Sequence, residues 1–237
     1  MALFGTLFDG LCIIIGSLCG LTFSKIPMRY KDTMMKAISL TVIVIGMQMA
    51  FASEKILIVL ISLLFGSLIG EYLQIERAFH RFGEWIGSKI NRKDTGNTPN
   101  KISEGFVTAT LIFGIGAMAI VGSLNSGLRL DHEVLLTKGI IDGFTAVILT
   151  STLGIGVLIS FVPIVLYEGT ITLLATVIER VVPEVMLNGI VVELTAVGGV
   201  IIIAIGLNML KIIQVRIANL LPAIIVVIIL QALYQIY

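Results

Sequence analysis

Between residues 3 and 234 the sequence returns repeatedly to apolar runs long enough to cross a bilayer. A spanning α-helix needs about twenty mostly apolar residues, because in hydrocarbon every backbone N–H and C=O must find its partner within the segment. Eight stretches approach that length: 3–22, 36–52, 56–73, 106–124, 140–162, 164–178, 185–209 and 217–234. Of the 237 residues, 57% are hydrophobic and 13% are charged, against about 25% charged in an ordinary soluble domain. Polar side chains are too few to coat a water-soluble globule. The expectation is an all-α polytopic membrane protein, a transmembrane helical bundle of about eight spans. The sixth run, 164–178, is short, follows Pro163 and contains Glu168 and Gly169, so seven spans plus a broken or re-entrant segment stands as the alternative. The opening MALFGTLFDG lacks the basic n-region of a signal peptide and reads as a first span that stays in the protein.

The basic residues orient the bundle, since cytoplasmic loops are enriched in Lys and Arg. Eight spans with both termini outside put twelve of the sixteen basic residues on the inner side, leaving Lys55, Arg129, Lys138 and Arg180 in outer positions. Half of the inner basic residues lie in the third loop, from Arg77 to Lys101, and within it at 73–90 Ile75, Phe79, Phe82, Ile86 and Ile90 recur at helical spacing beside Trp85. Arg77, Arg81, Glu84 and Lys89 fall on the other faces, the pattern of an amphipathic helix lying in the interface. A turn-rich NRKDTGNTPN follows. The single transmembrane domain 1–237 thus divides into a three-span half (1–73), an interfacial helix with linker (74–101) and a five-span half (102–237).

Small residues mark where helices should meet, because van der Waals packing drives association in lipid. The stretch 113–126, FGIGAMAIVGSLNS, reads as an apolar helix thinned by Gly114, Gly116 and Gly122 and ending in Ser123, Asn125 and Ser126. Gly16/Gly20, Gly66/Gly70 and Gly139/Gly143 have GxxxG spacing, and the pair Gly198/Gly199 permits a kink in the seventh span. Two echoes suggest internal duplication. IGMQM at 45–49 and IGLNM at 205–209 each close a span that leads into another; under the eight-span topology they run in opposite directions, which makes an inverted repeat. LFDGL at 7–11 and IIDGF at 140–144 lie on spans running the same way. The second echo is either accidental or the mark of a parallel repeat, in which case the inverted pairing does not hold.

No enzyme motif is present: HExxH, GxSxG, Walker and CxxC sequences are all missing. The best nucleophilic set, Ser123 with His132, lacks a recognisable motif, so no enzymatic activity is expected. Cys12 and Cys19 sit about 10 Å apart on one helix and cannot bridge each other. Nothing suggests a cofactor, a metal site or the basic surface that nucleic acid needs. What remains is a set of polar residues within or at the ends of spans: Asp9, Gln48, Asn125, Asp142, Glu168, Asn188, Glu193 and Asn208. An Asp at the centre of a membrane helix costs about 2.5 to 3.5 kcal/mol on insertion scales, so such residues face the protein interior or a wet cavity. Glu168 and Glu193 are the leading candidates for a shared water-accessible ion path. Asp9 and Asp142 lie nearer the outer ends, within reach of headgroup water, and the amides Gln48, Asn125 and Asn208 read equally as interhelical hydrogen bonds. Each acid also has a purely structural reading. An acidic lining favours transport of a cation, or a solute coupled to protons; a non-transporting scaffold or regulator working through the interfacial helix is the alternative. Expected partners are the bilayer and a small solute or ion, and a homo-oligomer is compatible with the glycine-lined faces.

Four runs in order, GAMAIVGSLNSGL at 116–128, YEGTITLLA at 167–175, IGLNML at 205–210 and NLLPA at 219–223, resemble the bacterial inner-membrane family called domain of unknown function 554, the YdfK/YqgA-like proteins. The resemblance covers nearly the whole chain. It implies a multi-pass protein of the bacterial plasma membrane with a transporter-like build, and it assigns no activity and no site residue.

Overall fold

The structure, a computed structural model, describes residues 1–22, 28–78, 81, 99–114 and 117–236. Most of the expected interfacial helix and its linker therefore lie outside the described residues; the chain is helical over 75–78. The described elements are helical, with no strand among them: α1 Phe4–Thr22, α2 Met28–Ala50, α3 Ile56–Leu73, α4 Pro99–Gly114, α5 Ala117–Arg129, α6 Glu133–Leu153, α7 Gly156–Ile159, α8 Phe161–Val181, α9 Glu184–Met209 and α10 Pro222–Ile236, the last preceded by a 3-10 turn at Ile217–Leu220. Six are long and apolar enough to cross a membrane, counting α7 with α8 and the 3-10 turn with α10; α4 with α5 makes a seventh if that bent pair is one span. The apolar part of α2, Lys36–Ala50, is shorter.

The helices are built inside out relative to a soluble protein. On α1 the buried stripe is Gly5, Thr6, Asp9, Gly10, Ile13, Gly16, Ser17 and Gly20, while Leu7, Leu11, Ile15 and Leu18 are exposed. On α3 the buried residues are Val59, Ser62, Gly66 and Gly70, with Leu60, Leu64, Phe65 and Leu68 outside. A helix in water turns its large apolar face inward. Turning it outward is stable only in lipid, where large side chains gain as much from acyl chains as from protein, and small residues gain by letting backbones close.

The chain divides into two compact units that interleave in sequence: Met1–Met34, Phe79–Gly114 and Met118–Ile178 in the first; Met35–Ala78, Ile115–Ala117 and Glu179–Tyr237 in the second. In the first unit α1 and α6 lie parallel, with Gly5 against Leu135, Gly139 against Asp9 and Gly20 against Val147. Helix α8 runs the other way along α1, with Gly10 on Val165 and Gly169 on Thr6. The 113–126 stretch is not one helix: Ile102–Gly114 and Met118–Arg129 are bent by 59°, at a point where Gly114 and Gly116 lower helix propensity. The two arms advance along α7–α8 rather than doubling back, from Ile102 beside Gly156 to Gly127 beside Thr172. That is roughly 24 Å at 1.5 Å per residue, most of the hydrocarbon thickness.

The expected break in the sixth apolar run is not there. Helix α8 continues through Glu168 and Gly169 to Val181; Pro163 falls in its first turn, where the missing N–H costs nothing, and Glu168 meets a counter-charge described below. The break lies earlier, at Gly154, which has φ 80°. Nor do Gly198 and Gly199 break α9, which is one helix; Gly199 serves packing, since a Cβ there would lie 2.3 Å from the Ala50 nitrogen.

In the second unit α2 is antiparallel to α9 and α3 to α10, with Gly66 against Ala223 and Gly70 against Asn219. A clamp holds one end. Gln74 closes α3 in the left-handed conformation, and the Asn219 side chain then accepts from the Glu76 N–H at 2.8 Å and donates to Glu71 Oε2 at 2.6 Å. Glu76 accepts from the Ala218 N–H at 3.0 Å, and Arg216 pairs with Glu71. Asn219→Ala strands the Glu76 N–H, while Glu71 keeps Arg216, and is expected to cost about 2 kcal/mol. Denaturant unfolding in detergent checks this; a change of a few tenths would show that the clamp is ornamental.

Candidate functional site

The site begins on α6, where Lys138 and Asp142 stand four residues apart and so share one helix face. Between them Gly139 lets α1 close, since a Cβ there would lie 3.0 Å from the Asp9 Cα. Asp9 thereby reaches Lys138, its Oδ2 2.7 Å from Nζ, and α8 brings Glu168 Oε1 to 3.1 Å of the same nitrogen. Asp142 makes the third contact, a direct hydrogen bond from Nζ to Oδ2. Relative exposures are 0% for Asp9, 0% for Glu168, 7% for Asp142 and 5% for Lys138.

Three carboxylates against one ammonium leave a formal charge of −2 in a site closed to solvent. A lone charge in hydrocarbon is expensive, and a buried ion pair breaks even only when its geometry is good and its remaining lone pairs are used. Lys138 supplies part of that geometry, donating to Asp9 and Asp142, while Glu168 is held as an ion pair whose carboxylate accepts no hydrogen bond among the described residues. Within the cluster, Lys138 leaves two of the three negative charges unbalanced. Lys138 Nζ also stands where the three acids converge, the place a bound metal ion would need. Among the described residues no group of three or more His, Cys, Asp or Glu could hold one.

Of the residues singled out from the sequence, Asp9, Asp142 and Glu168 are brought together. The placement of Asp9 and Asp142 near headgroup water is corrected: both are buried, because the parallel contact of α1 with α6 closes over them. Lys138, counted above among outer loop charges, is also a core residue of α6. Glu193 lies in the second unit, 2% exposed, and accepts from the Ser53 hydroxyl at 2.7 Å. Beside it Lys55 lays its ammonium over the Tyr234 ring, 4.1 Å from the centroid. Asn208 pins the loop after α9, donating to the Val215 carbonyl at 2.7 Å and accepting from its N–H at 2.9 Å. The Asn125 carbonyl takes the Asp131 N–H where α5 ends, and Gln48 and Asn188 are exposed. His132 bonds Ser126 rather than Ser123, at 2.7 Å, and the Ser126 hydroxyl is already donated to the Ala2 carbonyl at 2.6 Å. The imidazole is then the donor to Ser126, the reverse of a general base.

Lys138 was missed because an apolar window starts after a charged residue, and this one started at 140. The available signal was KGIID itself, a Lys and an Asp one helical turn apart at the mouth of an apolar run. The two DG echoes now have a physical counterpart: Asp9 and Asp142, the acids of LFDGL and IIDGF, bind the same ammonium from neighbouring parallel helices.

A family model described as "Protein of unknown function (DUF554)" matches residues 4–232. The chain is 32% identical over 229 residues to "Uncharacterized membrane protein YdfK" of Bacillus subtilis (strain 168), covering 94% of this chain and 93% of the relative. It is 24% identical over 220 residues to "Uncharacterized protein YqgA" of Escherichia coli (strain K12), covering 92% of each. No solved structure matches.

Proposed function

The chain belongs to the DUF554 family, and we propose that it is an ion-coupled membrane transporter that moves a small solute or cation by loading and unloading positive charge at Asp9, Asp142 and Glu168. The observation that carries this reading is the buried Lys138 held among three carboxylates from three helices. Structural ion pairs are usually balanced; this one has acids in excess, and intramembrane ionisable groups of that kind mark ion and proton pathways. The protein acts without covalent chemistry, and its setting is the bacterial plasma membrane, a reading supported by its apolar helices and by two bacterial relatives matched over more than nine-tenths of each chain.

A reciprocal contact in the second unit supports an inverted repeat, and with it a transporter build. Gly46 of IGMQM packs on Gly199 and Ile203, and Gly206 of IGLNM packs on Ser39 and Ile43. In each helix the partners stand seven and three residues before its own glycine, so the contact is reciprocal, as a two-fold axis requires. Eight crossings are supported by direction. Alternation at α1, α2, α3, α4–α5, α6, α7–α8, α9 and α10 makes α1 parallel to α6 and α4–α5 parallel to α7–α8, and sets α2 against α9 and α3 against α10. Those are the directions found within each unit.

The test is flux in proteoliposomes carrying a pH-sensitive dye, with proton movement followed on imposing cation or solute gradients. Glu168→Gln keeps the shape and removes one acid; the expected result is at least about a tenfold loss of flux, the equivalent of 1.4 kcal/mol in the barrier, with the protein still folded. Flux no greater than in protein-free vesicles under every gradient would leave the scaffold reading in possession.

A further inference from the structure

The three carboxylates do not spend all their oxygens on Lys138. Asp9 holds the ammonium with Oδ2 and Glu168 faces it with Oε1, while Asp9 Oδ1 and Glu168 Oε2 are buried with no hydrogen-bond donor among the described residues. Hydroxyls stand beside them in the same condition. Thr6 is one turn before Asp9 on α1 and Thr172 one turn after Glu168 on α8; because these helices are antiparallel, both lie on the same side of Lys138. Their exposures are 0% and 3%, and neither Oγ1 has a partner. Ser123 of α5, one turn before the Gly127 that abuts Thr172, is buried and equally unpartnered. A helix hydroxyl ordinarily bonds back to its own helix, as Thr145, Thr170 and Thr195 do here to carbonyls four residues earlier; the hydroxyls of Ser17, Thr110 and Thr150 are also buried without a partner among the described residues, so what sets Thr6, Thr172 and Ser123 apart is that they accompany unpartnered carboxylate oxygens.

We propose that Asp9 Oδ1, Glu168 Oε2 and the hydroxyls of Thr6, Thr172 and Ser123 form a binding site for one dehydrated monovalent alkali cation, in competition with a proton. The inference deepens the transporter reading by naming its coupling ion. All five are oxygen donors and none is a cation, so they suit a hard metal ion. Magnesium is disfavoured because it gives up its water reluctantly and keeps several waters of its own, for which a closed site has no room. The charge count sets the competition. The cluster at −2 is neutralised by two protons, or by one proton and one alkali cation, so cation entry displaces one proton. The ionisable groups facing it are Asp9 and Cys12 from α1, Lys138 and Asp142 from α6, and Glu168 and Tyr167 from α8; α5 brings Ser123 and no charge at this level.

The experiment is thermal unfolding of the whole protein in nanodiscs, titrated with lithium, sodium, potassium, magnesium or choline chloride at matched ionic strength, in acidic and alkaline buffer. A ligand that binds only the folded state raises the melting temperature. The expected result is a saturable rise with an alkali cation over choline, larger at alkaline pH. Thr6→Val and Thr172→Val should each weaken the midpoint about tenfold, the loss of one polar ligand, and Thr→Ser should restore it. No difference between alkali cations and choline at either pH overturns the proposal, as does a response confined to magnesium, or Val variants that respond like the parent. If one Val variant fails to fold, the parent's response and the other variant decide. Failure here separates from failure of transport: proton flux that needs Glu168 without any cation response leaves the transporter and removes the site, whereas cation binding without flux does the reverse.

Discussion

Lys138→Met is expected to destabilise the protein by about 3–5 kcal/mol, the cost of breaking a buried ion pair from one side, and to abolish flux. Methionine keeps the length of the side chain, so little of the loss is packing. What changes is charge: three carboxylates remain within the space that one ammonium held together, at 2.7 Å from Asp9 and 3.1 Å from Glu168. Repulsion among them is relieved only by taking up protons or by opening α1 from α6. Against a total stability of about 5–15 kcal/mol for a typical domain, this is enough to lower the melting temperature by many degrees in nanodiscs. The second variant discriminates. Lys138→Met with Glu168→Gln returns the formal charge to the parent's −2, and is expected to recover at least half of the lost stability while remaining silent in flux. If the single variant melts with the parent, or the double variant is no better than the single, the cluster is not organised by charge and the proposed coupling site goes with it.

The bilayer class and the helical build were legible because hydropathy over about twenty residues is a local property that no tertiary contact overrides. So were Asp9, Asp142 and Glu168 as residues to explain, since an acid in an apolar run carries its cost wherever the helix packs. Their meeting was not legible. Asp9 and Lys138 are 129 positions apart, and nothing local says that α1 lies parallel to α6 or that Gly139 admits the Asp9 backbone. The place of the helix break was misjudged for a related reason. Glu168 beside Gly169 looks like a weak point when the glutamate is priced as an unpaired charge, and becomes an ordinary helix position once Lys138 pairs with it. The pair Gly114 and Gly116 carries no charge and reads from the sequence only as packing, yet the bend falls between Gly114 and Met118, beside glycines that lower helix propensity. Glu193 shows the opposite case: its sequence signature equals that of Glu168, and its partner is a single hydroxyl, Ser53.

The spacing of α1 and α6 should control the cluster from two turns away. A Cβ at Gly16 would lie 2.1 Å from the Gly143 carbonyl oxygen and 3.1 Å from Ala146 Cβ, whereas carbon–oxygen contacts between helices settle at about 3.3–3.6 Å. Any side chain at Gly16 must push the two backbones apart by about 1 Å, and Asp9 lies seven residues up the same helix, about 10 Å along its axis. Gly16→Leu is therefore expected to cost about 3 kcal/mol, the upper end of ordinary overpacking, and to cut flux by more than tenfold, because the Asp9–Lys138 contact cannot survive such a displacement intact. Leu18→Ala is the control: it faces outward on the same helix and should change neither property appreciably. Unfolding midpoints and dye-reported flux in the same vesicles check both together. A Gly16→Leu protein that melts early but transports at the parent rate would show that the contact between these helices supports the fold without setting the site; one that matches the parent in both would mean that α1 and α6 do not approach as closely as Gly16 and Gly143 require.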